Sequence, residues 1–352
     1  MNKVLVDLHR IGKNPYNGLY TYCYQLGKSL MKMDTSGLDL FYYLPEKKFG
    51  IFGDDVKYYN QKSIDKFYKF NTSQFDLWHS TTTVSRYKPF NDKTKFIFTI
   101  HDLNFTIEDP GNTSRNKRLL KEIQSLVNRA DHLITISQFA KQQASNLLDL
   151  GNKPLSVIYP GCSLVTDNVQ PISPVYTPLK PFLFAIGLIE PRKNFHTLIP
   201  LLENNDYDLI IAGMDTHEYK QVIINSTNQL NMQNRVKLVG PISEGEKNWY
   251  YKNCEAFMFP SYAEGFGLPV VEAMYYGKPV FTSRETSLPE IAGDAAYYFD
   301  SFDPNVMKKN FEEGMHHYEE NLPIEKIKAR AMLFTYDNTA AKCVEIYRAL
   351  LS

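Results

Sequence analysis

The chain has 352 residues, 43% of them hydrophobic and 22% charged, which suits two ordinary globular domains and excludes a disordered or low-complexity protein. Lysine plus arginine equals aspartate plus glutamate at 39 each, which excludes bulk attraction to nucleic acid. Cys23, Cys162, Cys254 and Cys343 form no C-x-x-C pair, which excludes a zinc site or a disulfide framework.

In chain order, MNKVLVDLHR enters directly into a strand pattern, with no secretory signal before it, and the scattered cysteines read as thiols of a reducing compartment; a cytoplasmic protein is expected. No stretch approaches the roughly 18 apolar residues that span a bilayer, so any membrane contact is peripheral. Strand patterns in the first half are Lys3–Asp7, Leu38–Leu44, Phe75–His79, Lys95–His101, His132–Ile136 and Leu155–Tyr159. In the second half they are Phe182–Gly187, Tyr207–Ala212, Val236–Val239, Ala256–Pro260, Pro279–Thr282 and Ala296–Phe299. Helical patterns fill the gaps at Gly18–Met33, Ser114–Ala130, Ser137–Leu150, Asn194–Glu203, His217–Leu230, Ser243–Asn253 and Asn305–Glu320. Such alternation predicts an α/β protein of two Rossmann-like domains with parallel sheets, six strands each. Residues 162–181 hold four prolines and little periodicity, as a linker should. The expected division is 1–165, a linker at 166–181, a second domain at 182–337, and a last helix at 338–352. Residues 1–170 carry 22 basic and 16 acidic side chains and residues 171–352 carry 17 and 23, so the two domains should meet different partners.

Several short segments carry chemistry. Asn14-Pro15-Tyr16-Asn17-Gly18 joins the first strand to the first helix and reads equally as a plain turn. His101-Asp102 closes the apolar run Phe96–Ile100, where such a domain presents functional groups; a cap at Asp102 and a structural histidine are the bland alternative. Ser137 is a good N-cap. Gly187-Leu188-Ile189-Glu190-Pro191-Arg192-Lys193-Asn194 follows a strand, and its two adjacent cations could neutralise a diphosphate. Residues 260–279, PSYAEGFGLPVVEAMYYGKP, are the most informative. Glu264 and Glu272 lie either side of the loop Gly265-Phe266-Gly267. Pro269 suits the first helical position and Gly277 the C-terminal cap, so the loop feeds a helix start whose free amides attract phosphate or sugar oxygens. Glu264 is expected on the loop and Glu272 in the first helical turn, flanking one ligand.

This segment, followed by Thr282-Ser283 and Ser287-Leu288-Pro289-Glu290-Ile291-Ala292-Gly293-Asp294-Ala295-Ala296, resembles the E-x7-E region of the retaining glycosyltransferases of family 4. That resemblance implies the GT-B fold, two Rossmann-like domains facing across a cleft, with the last helix crossing back to the first domain. It implies a nucleotide-diphosphate sugar as donor substrate, with no metal and no other cofactor. Lys193 matches the family's diphosphate-clamping lysine. Arg192 stands in for an arginine that many members place directly after the glycine, where this chain has Leu188. By the same likeness Glu272 bonds the ribose, and Glu264 with Gly265, Phe266, Gly267 and Leu268 holds the sugar. His101 supports the charge that develops at the anomeric carbon. Gly18 and Gly187 allow the backbone to approach the phosphates, and Val239-Gly240 hold the base. The Pro191-Arg192-Lys193-Asn194 form resembles polysaccharide mannosyltransferases, which makes GDP-mannose the first candidate and a glycan or lipid-linked glycan the acceptor.

Rival readings are a nucleotide-sugar epimerase of the same fold and a non-catalytic sugar-nucleotide-binding subunit. A glycosidase has no use for a diphosphate clamp, and a dinucleotide dehydrogenase would need a G-x-G-x-x-G after the first strand. The helix pattern at 114–130 places Leu119, Leu120, Ile123, Leu126 and Val127 on one face, with Lys117, Arg118, Lys121 and Arg129 around it. The stripe predicts packing within the domain, and the cations leave open an anionic membrane surface as a partner.

Overall fold

The computed structural model describes residues 1–352 except 14–17, 67–71, 86, 90, 163–172 and 216. The loop read at Asn14–Asn17 and the first part of the linker therefore lie outside the described residues. The chain folds as two compact units, Met1–Gly161 with Thr335–Ser352, and Cys162–Phe334.

Unit 1 contains β1 (Asn2–Asp7), β2 (Leu38–Leu44), β3 (Lys57–Asn60), β4 (Leu77–Ser80), β5 (Lys95–Ile100), β6 (His132–Thr135) and β7 (Leu155–Val157). They form one parallel sheet in the order β3-β2-β1-β4-β5-β6-β7. Its helices are α1 (Gly18–Leu30), α2 (Phe105–Glu108), α3 (Thr113–Arg129) and α4 (Gln138–Leu147). Successive side chains of a strand face opposite ways, so β1 sends Val4 and Val6 to one core and Leu5 to the other. The first core is closed by α1 and by the final helix; the second is closed by Ile123, Leu126 and Val127 of α3. The seventh strand, β3, corrects the expected six. It is a four-residue edge strand, exposed to half-buried, and its Lys-Tyr-Tyr-Asn sequence has no apolar alternation to announce it.

Unit 2 contains β8 (Phe182–Ile186), β9 (Asp208–Ala212), β10 (Val236–Gly240), β11 (Ala256–Phe259), β12 (Val280–Ser283) and β13 (Tyr297–Phe299), parallel in the order β10-β9-β8-β11-β12-β13. This is the doubly wound arrangement, in which strand order reverses at the first strand and loops at the carboxyl edge there carry ligands. Its helices are α5 (His217–Gln229), α6 (Glu244–Asn253), α7 (Leu268–Tyr275), α8 (Leu288–Ala292), α9 (Pro304–Asn321) and α10 (Ile324–Ala331). The segment expected as a helix at Asn194–Glu203 is instead 3₁₀ over Phe195–Leu202. Asn194 enters it in the left-handed region at φ 58° and Pro200 lacks the N–H that an α-helical ladder would need there.

The chain returns to unit 1 at Thr335, where α11 (Tyr336–Leu351) is capped by the Thr335 hydroxyl. Tyr336, Ala340, Cys343, Val344 and Tyr347 complete the first core, and the Tyr347 hydroxyl bonds His79 Nδ1 at 2.7 Å. All four cysteines are buried free thiols. Among the described residues no helix is long and apolar enough to cross a membrane.

Candidate functional site

In unit 2 three neighbouring strands end on glycines. The Gly187 N–H donates to Ala212 O and the Gly213 N–H to Gly240 O, at 3.1 and 2.8 Å. A Cβ on Gly213 would lie 1.8 Å from the Gly187 oxygen, so only glycine fits that contact. Gly240, next to Val239, ends β10 at φ 74° after a register shift between Leu238 and Gly240. Gly213 escaped sequence reading. The Ala-Gly pair that ends β9 was its signal.

Lys193 lies at the end of the short 3₁₀ turn Pro191–Lys193, after β8. Its Nζ stands 3.4 Å from where a Gly187 Cβ would be, 4.6 Å over the Phe259 ring, and 2.5 Å from Glu264 Oε1. Arg192 holds the other Glu264 oxygen at 3.2 Å, pairs with Glu190 at 2.6 Å and donates to Ala263 O at 2.9 Å. Lys193 is 5% exposed and the Arg192 side chain 21%. Neither cation stands in open solvent: burying a lysine needs a paired partner, and Glu264 is that partner. Burial by itself would raise the Glu264 pKa, but Lys193 and Arg192 outweigh it and hold the carboxyl below its ordinary range. Burial draws the Lys193 pKa down, against the pull of Glu264.

Glu264 sits on the loop after β11, its backbone fixed by Thr286 Oγ1 at 3.0 Å and by the Ser287 hydroxyl at 3.0 Å. Gly265, Phe266 and Gly267 follow, and Gly267, at φ 98°, caps α7 with Leu288 Cδ2 where a Cβ would stand. The helix begins at Leu268, with Pro269 inside its first turn, and Gly277, at φ 70°, ends it. Glu272 lies beyond the first turn, one position later than expected. Its carboxylate is held by Lys247 at 2.8 Å and by the Tyr251 hydroxyl at 2.9 Å, both from α6. The two glutamates thus have separate lysines. Lys247 was missed because a lysine inside a helix reads as a solvated surface residue. The capping box Ser243–Glu246, which fixes where α6 starts and therefore which face carries Lys247, was the available signal.

In unit 1, His101 follows β5 and is buried. Its Nε2–H donates to Thr81 O at 2.8 Å, which leaves Nδ1 as the acceptor of a neutral ring, and its backbone N–H donates to Thr83 Oγ1 at 2.7 Å. Burial pushes its pKa down to about 4, although the bond to Thr81 works the other way. Asp102 Oδ1 accepts from Asn104 N at 3.1 Å, and Ser137 caps α4 by accepting from Ala140 N. Gly18 opens α1, and no described residue comes within 4 Å of where its Cβ would be, so packing among the described residues does not demand glycine there. On α3, Lys117, Arg118 and Lys121 are exposed, whereas Arg129 is tied to Asn91 O, Thr94 O and Asp131.

Among the described residues no group of three or more His, Cys, Asp or Glu side chains stands ready to hold a metal ion. The sequence does contain one Asp-x-Asp triplet, Asp206-Tyr207-Asp208. It lies at the amino end of β9, opposite the glycine edge, with Asp206 paired to Lys180 at 3.3 Å.

Two family descriptions match the chain, "Glycosyltransferase Family 4" over residues 47–165 and "Glycosyl transferases group 1" over residues 176–329. O-antigen chain mannosyltransferase B of Escherichia coli is 25% identical over 278 residues, 72% of this chain and 70% of that protein. Serotype-specific mannosyltransferase WbdA of Escherichia coli is 26% identical over 241 residues, 63% of this chain but 29% of WbdA, so the chain spans under a third of that relative. Among solved structures, sucrose-phosphate synthase from Thermosynechococcus elongatus superposes with a TM-score of 0.77 at 17% identity, covering 100% of this chain and 99% of that one. Anabaena HepE in complex with UDP-glucose gives 0.71 at 16% identity, covering 99% of each chain. At these identities the solved structures speak for the fold alone.

Proposed function

The chain belongs to the family 4 glycosyltransferases, with the GT-B fold of two Rossmann-like domains, and on that premise we propose a retaining hexosyltransferase that moves mannose from GDP-mannose to a glycan or lipid-linked glycan. The observation that carries the reading is the buried cluster of Lys193, Arg192 and Glu264 beside the start of α7. A diphosphate is the ligand such a pair of cations suits. Arg192 forks onto two oxygens and Lys193 acts as a point charge, while the amides of Gly265, Phe266, Gly267 and Leu268 add fixed dipoles.

In the reaction the bond from the anomeric carbon to the phosphate oxygen breaks and its electron pair leaves with the diphosphate. The acceptor oxygen bonds the same face of that carbon, and its proton passes to the departing phosphate oxygen. Charge on the leaving group grows in the transition state, so cations and amides already aimed at it lower the barrier without reorganising. Glu264 orients the sugar hydroxyls and Glu272 the ribose. Gly187 and Gly18 let the backbone come close to the phosphates, and Val239 and Gly240 offer backbone groups to the base. His101 contributes a neutral imidazole whose Nδ1 accepts from a sugar hydroxyl. No metal takes part on this reading. Mannose is chosen because the two sequence relatives named above are mannosyltransferases.

Unit 1 would take the acceptor and rest, in the cytoplasm, on an anionic membrane surface through Lys117, Arg118 and Lys121. The test is incubation with GDP-mannose, UDP-glucose and other nucleotide sugars and an acceptor glycan, with product mass and anomeric configuration read by mass spectrometry and NMR. An α-linked product from an α-linked donor supports the reading. A free epimerised sugar nucleotide, or binding without transfer, overturns it.

A further inference from the structure

Glu272 is gripped from one side of one helix. Lys247 and Tyr251 are one turn apart on α6 and face α7 together, while Glu244, one turn earlier, shares the Lys247 ammonium at 2.9 Å. The grip is buried: the Lys247 side chain is 13% exposed and that of Glu272 10%, whereas Glu244 is out in solvent. Burial opposes the charge on Lys247, yet Glu272 and Glu244 overcome it and hold the pKa above its ordinary value. Burial likewise keeps Tyr251 protonated, so its hydroxyl remains a donor.

A carboxylate offers about four lone-pair directions, two on each oxygen. Lys247 takes one on Oε1 and Tyr251 one on Oε2, which leaves acceptor capacity on each oxygen of the one carboxylate. Two adjacent acceptors match two adjacent O–H donors. Beside this grip a small cavity is lined by Cys162, Asn248 and Tyr275 as well as by Lys247, Tyr251 and Glu272. Neither polar atom of the Asn248 amide has a partner among the described residues, so the cavity has polar capacity to spare.

We propose that Lys247 and Tyr251 are positioning residues that preset Glu272 to accept both hydroxyls of a vicinal diol, so that the enzyme selects ribose over deoxyribose in its nucleotide donor. This rests on the reading of Glu272 as the ribose residue. A free carboxylate would have to be ordered at the moment of binding; one already held at both oxygens meets the diol at no such cost.

The experiment uses the full chain and calorimetric titration with GDP, 2′-deoxy-GDP, UDP, 2′-deoxy-UDP and pyrophosphate. One hydrogen bond to a charged group corresponds to a preference of about 10-fold or more for the ribonucleotide. Lys247→Met should reduce that preference to about 3-fold or less with pyrophosphate affinity unchanged, and Lys247→Arg should restore most of it. Tyr251→Phe keeps the ring packing and should lose part of the preference, so it carries the test where Lys247→Met fails to fold. Full preference in folded Lys247→Met or Tyr251→Phe overturns the proposal while leaving Glu272 in its role. A wild-type enzyme that binds pyrophosphate but ignores the 2′-hydroxyl removes Glu272 from the ribose, and the proposal falls with it.

Discussion

The carboxyl edges of the two sheets are built from different chemistry. Among the described residues of unit 1 the edge carries Thr81, Thr82, Thr83, His101 and Ser137, buried and neutral, with Asp7, bonded to His9 at 2.7 Å, and Arg10, whose charge bears on His101, as exceptions. In unit 2 the corresponding edge carries Arg192, Lys193 and Glu264, and Lys247 with Glu272 close by on the helices. Charges removed from water cost several kcal/mol each unless they are paired, so a fold does not collect them by default. Hydroxyls and neutral imidazoles are cheaper to bury and match sugar hydroxyls, whereas fixed cations match a leaving group that gains charge. In the proposed reaction, this contrast gives the ionic half to unit 2.

The sharpest way to break that contrast is at Lys193. Lys193→Ala should lower transfer several hundred-fold, about 2–4 kcal/mol of transition-state stabilisation, and should also destabilise unit 2 by about 1–3 kcal/mol because the buried Glu264 loses one of its two cations and keeps Arg192 at 3.2 Å. The double variant Lys193→Met, Glu264→Gln should recover most of the melting temperature and none of the activity. Near-normal turnover in Lys193→Ala at saturating donor would take the residue out of the mechanism.

A second measurement separates the units by pH. Burial lowers the His101 pKa to about 4 and that of His79 to about 3, against about 6.5 in the unfolded chain. The unfolded chain then binds more protons, so unit 1 should lose stability as pH falls through that window, by up to about 1.4 kcal/mol per pH unit for each histidine. Glu264 has a depressed pKa, so its contribution is present above the ordinary carboxylate pKa and is lost only as pH falls through the lower, folded value. The two tryptophans, Trp78 in unit 1 and Trp249 stacked on Phe182 in unit 2, allow each unit to be followed by fluorescence in single-tryptophan variants. Unit 2 losing stability ahead of unit 1 on acidification would reverse the assignment.

Transfer should survive EDTA if, as proposed, the cations at 192–193 and the α7 amides serve the diphosphate. An absolute need for Mg²⁺ would show that unit 2's fixed charges are insufficient. The smallest effect is expected on α3. Changing Lys117, Arg118 and Lys121 to glutamate should abolish flotation with anionic vesicles at low salt, each cation contributing about 1 kcal/mol. Stability should shift by only about 0.5 kcal/mol per site, as for other exposed positions. Unchanged flotation would free unit 1 of that role.

Much of this architecture was legible in the residues because it depends on local rules. Twelve strands announced themselves as short β-branched and aromatic runs, and the segment from Pro260 to Pro279 named its own loop, helix start and helix end. The signals that failed were those decided by tertiary partners. The β3 strand exists only because β2 offers it an edge, and Asn194–Leu202 abandons the α-helix through one left-handed residue and one proline. Lys193 and Arg192 were identified as a pair of cations, but their burial was not, since a sequence does not say that a carboxylate 71 residues later will neutralise them. Lys247 carries the same lesson: its importance comes from facing Glu272 across two helices.

The final helix has a consequence for synthesis. Five side chains of α11 belong to the core of unit 1, and Tyr347 completes the bonding of His79, yet α11 leaves the ribosome only after the whole of unit 2. Unit 2 has all of its own residues available before that moment. The usual order, in which the N-terminal domain folds first during translation, is therefore inverted: unit 1 waits, with α11 missing from one face of its sheet, until residues 336–351 emerge. A nascent chain arrested before α11 would present that bare apolar face to chaperones, and loss of the α11 residues would act as a defect of unit 1.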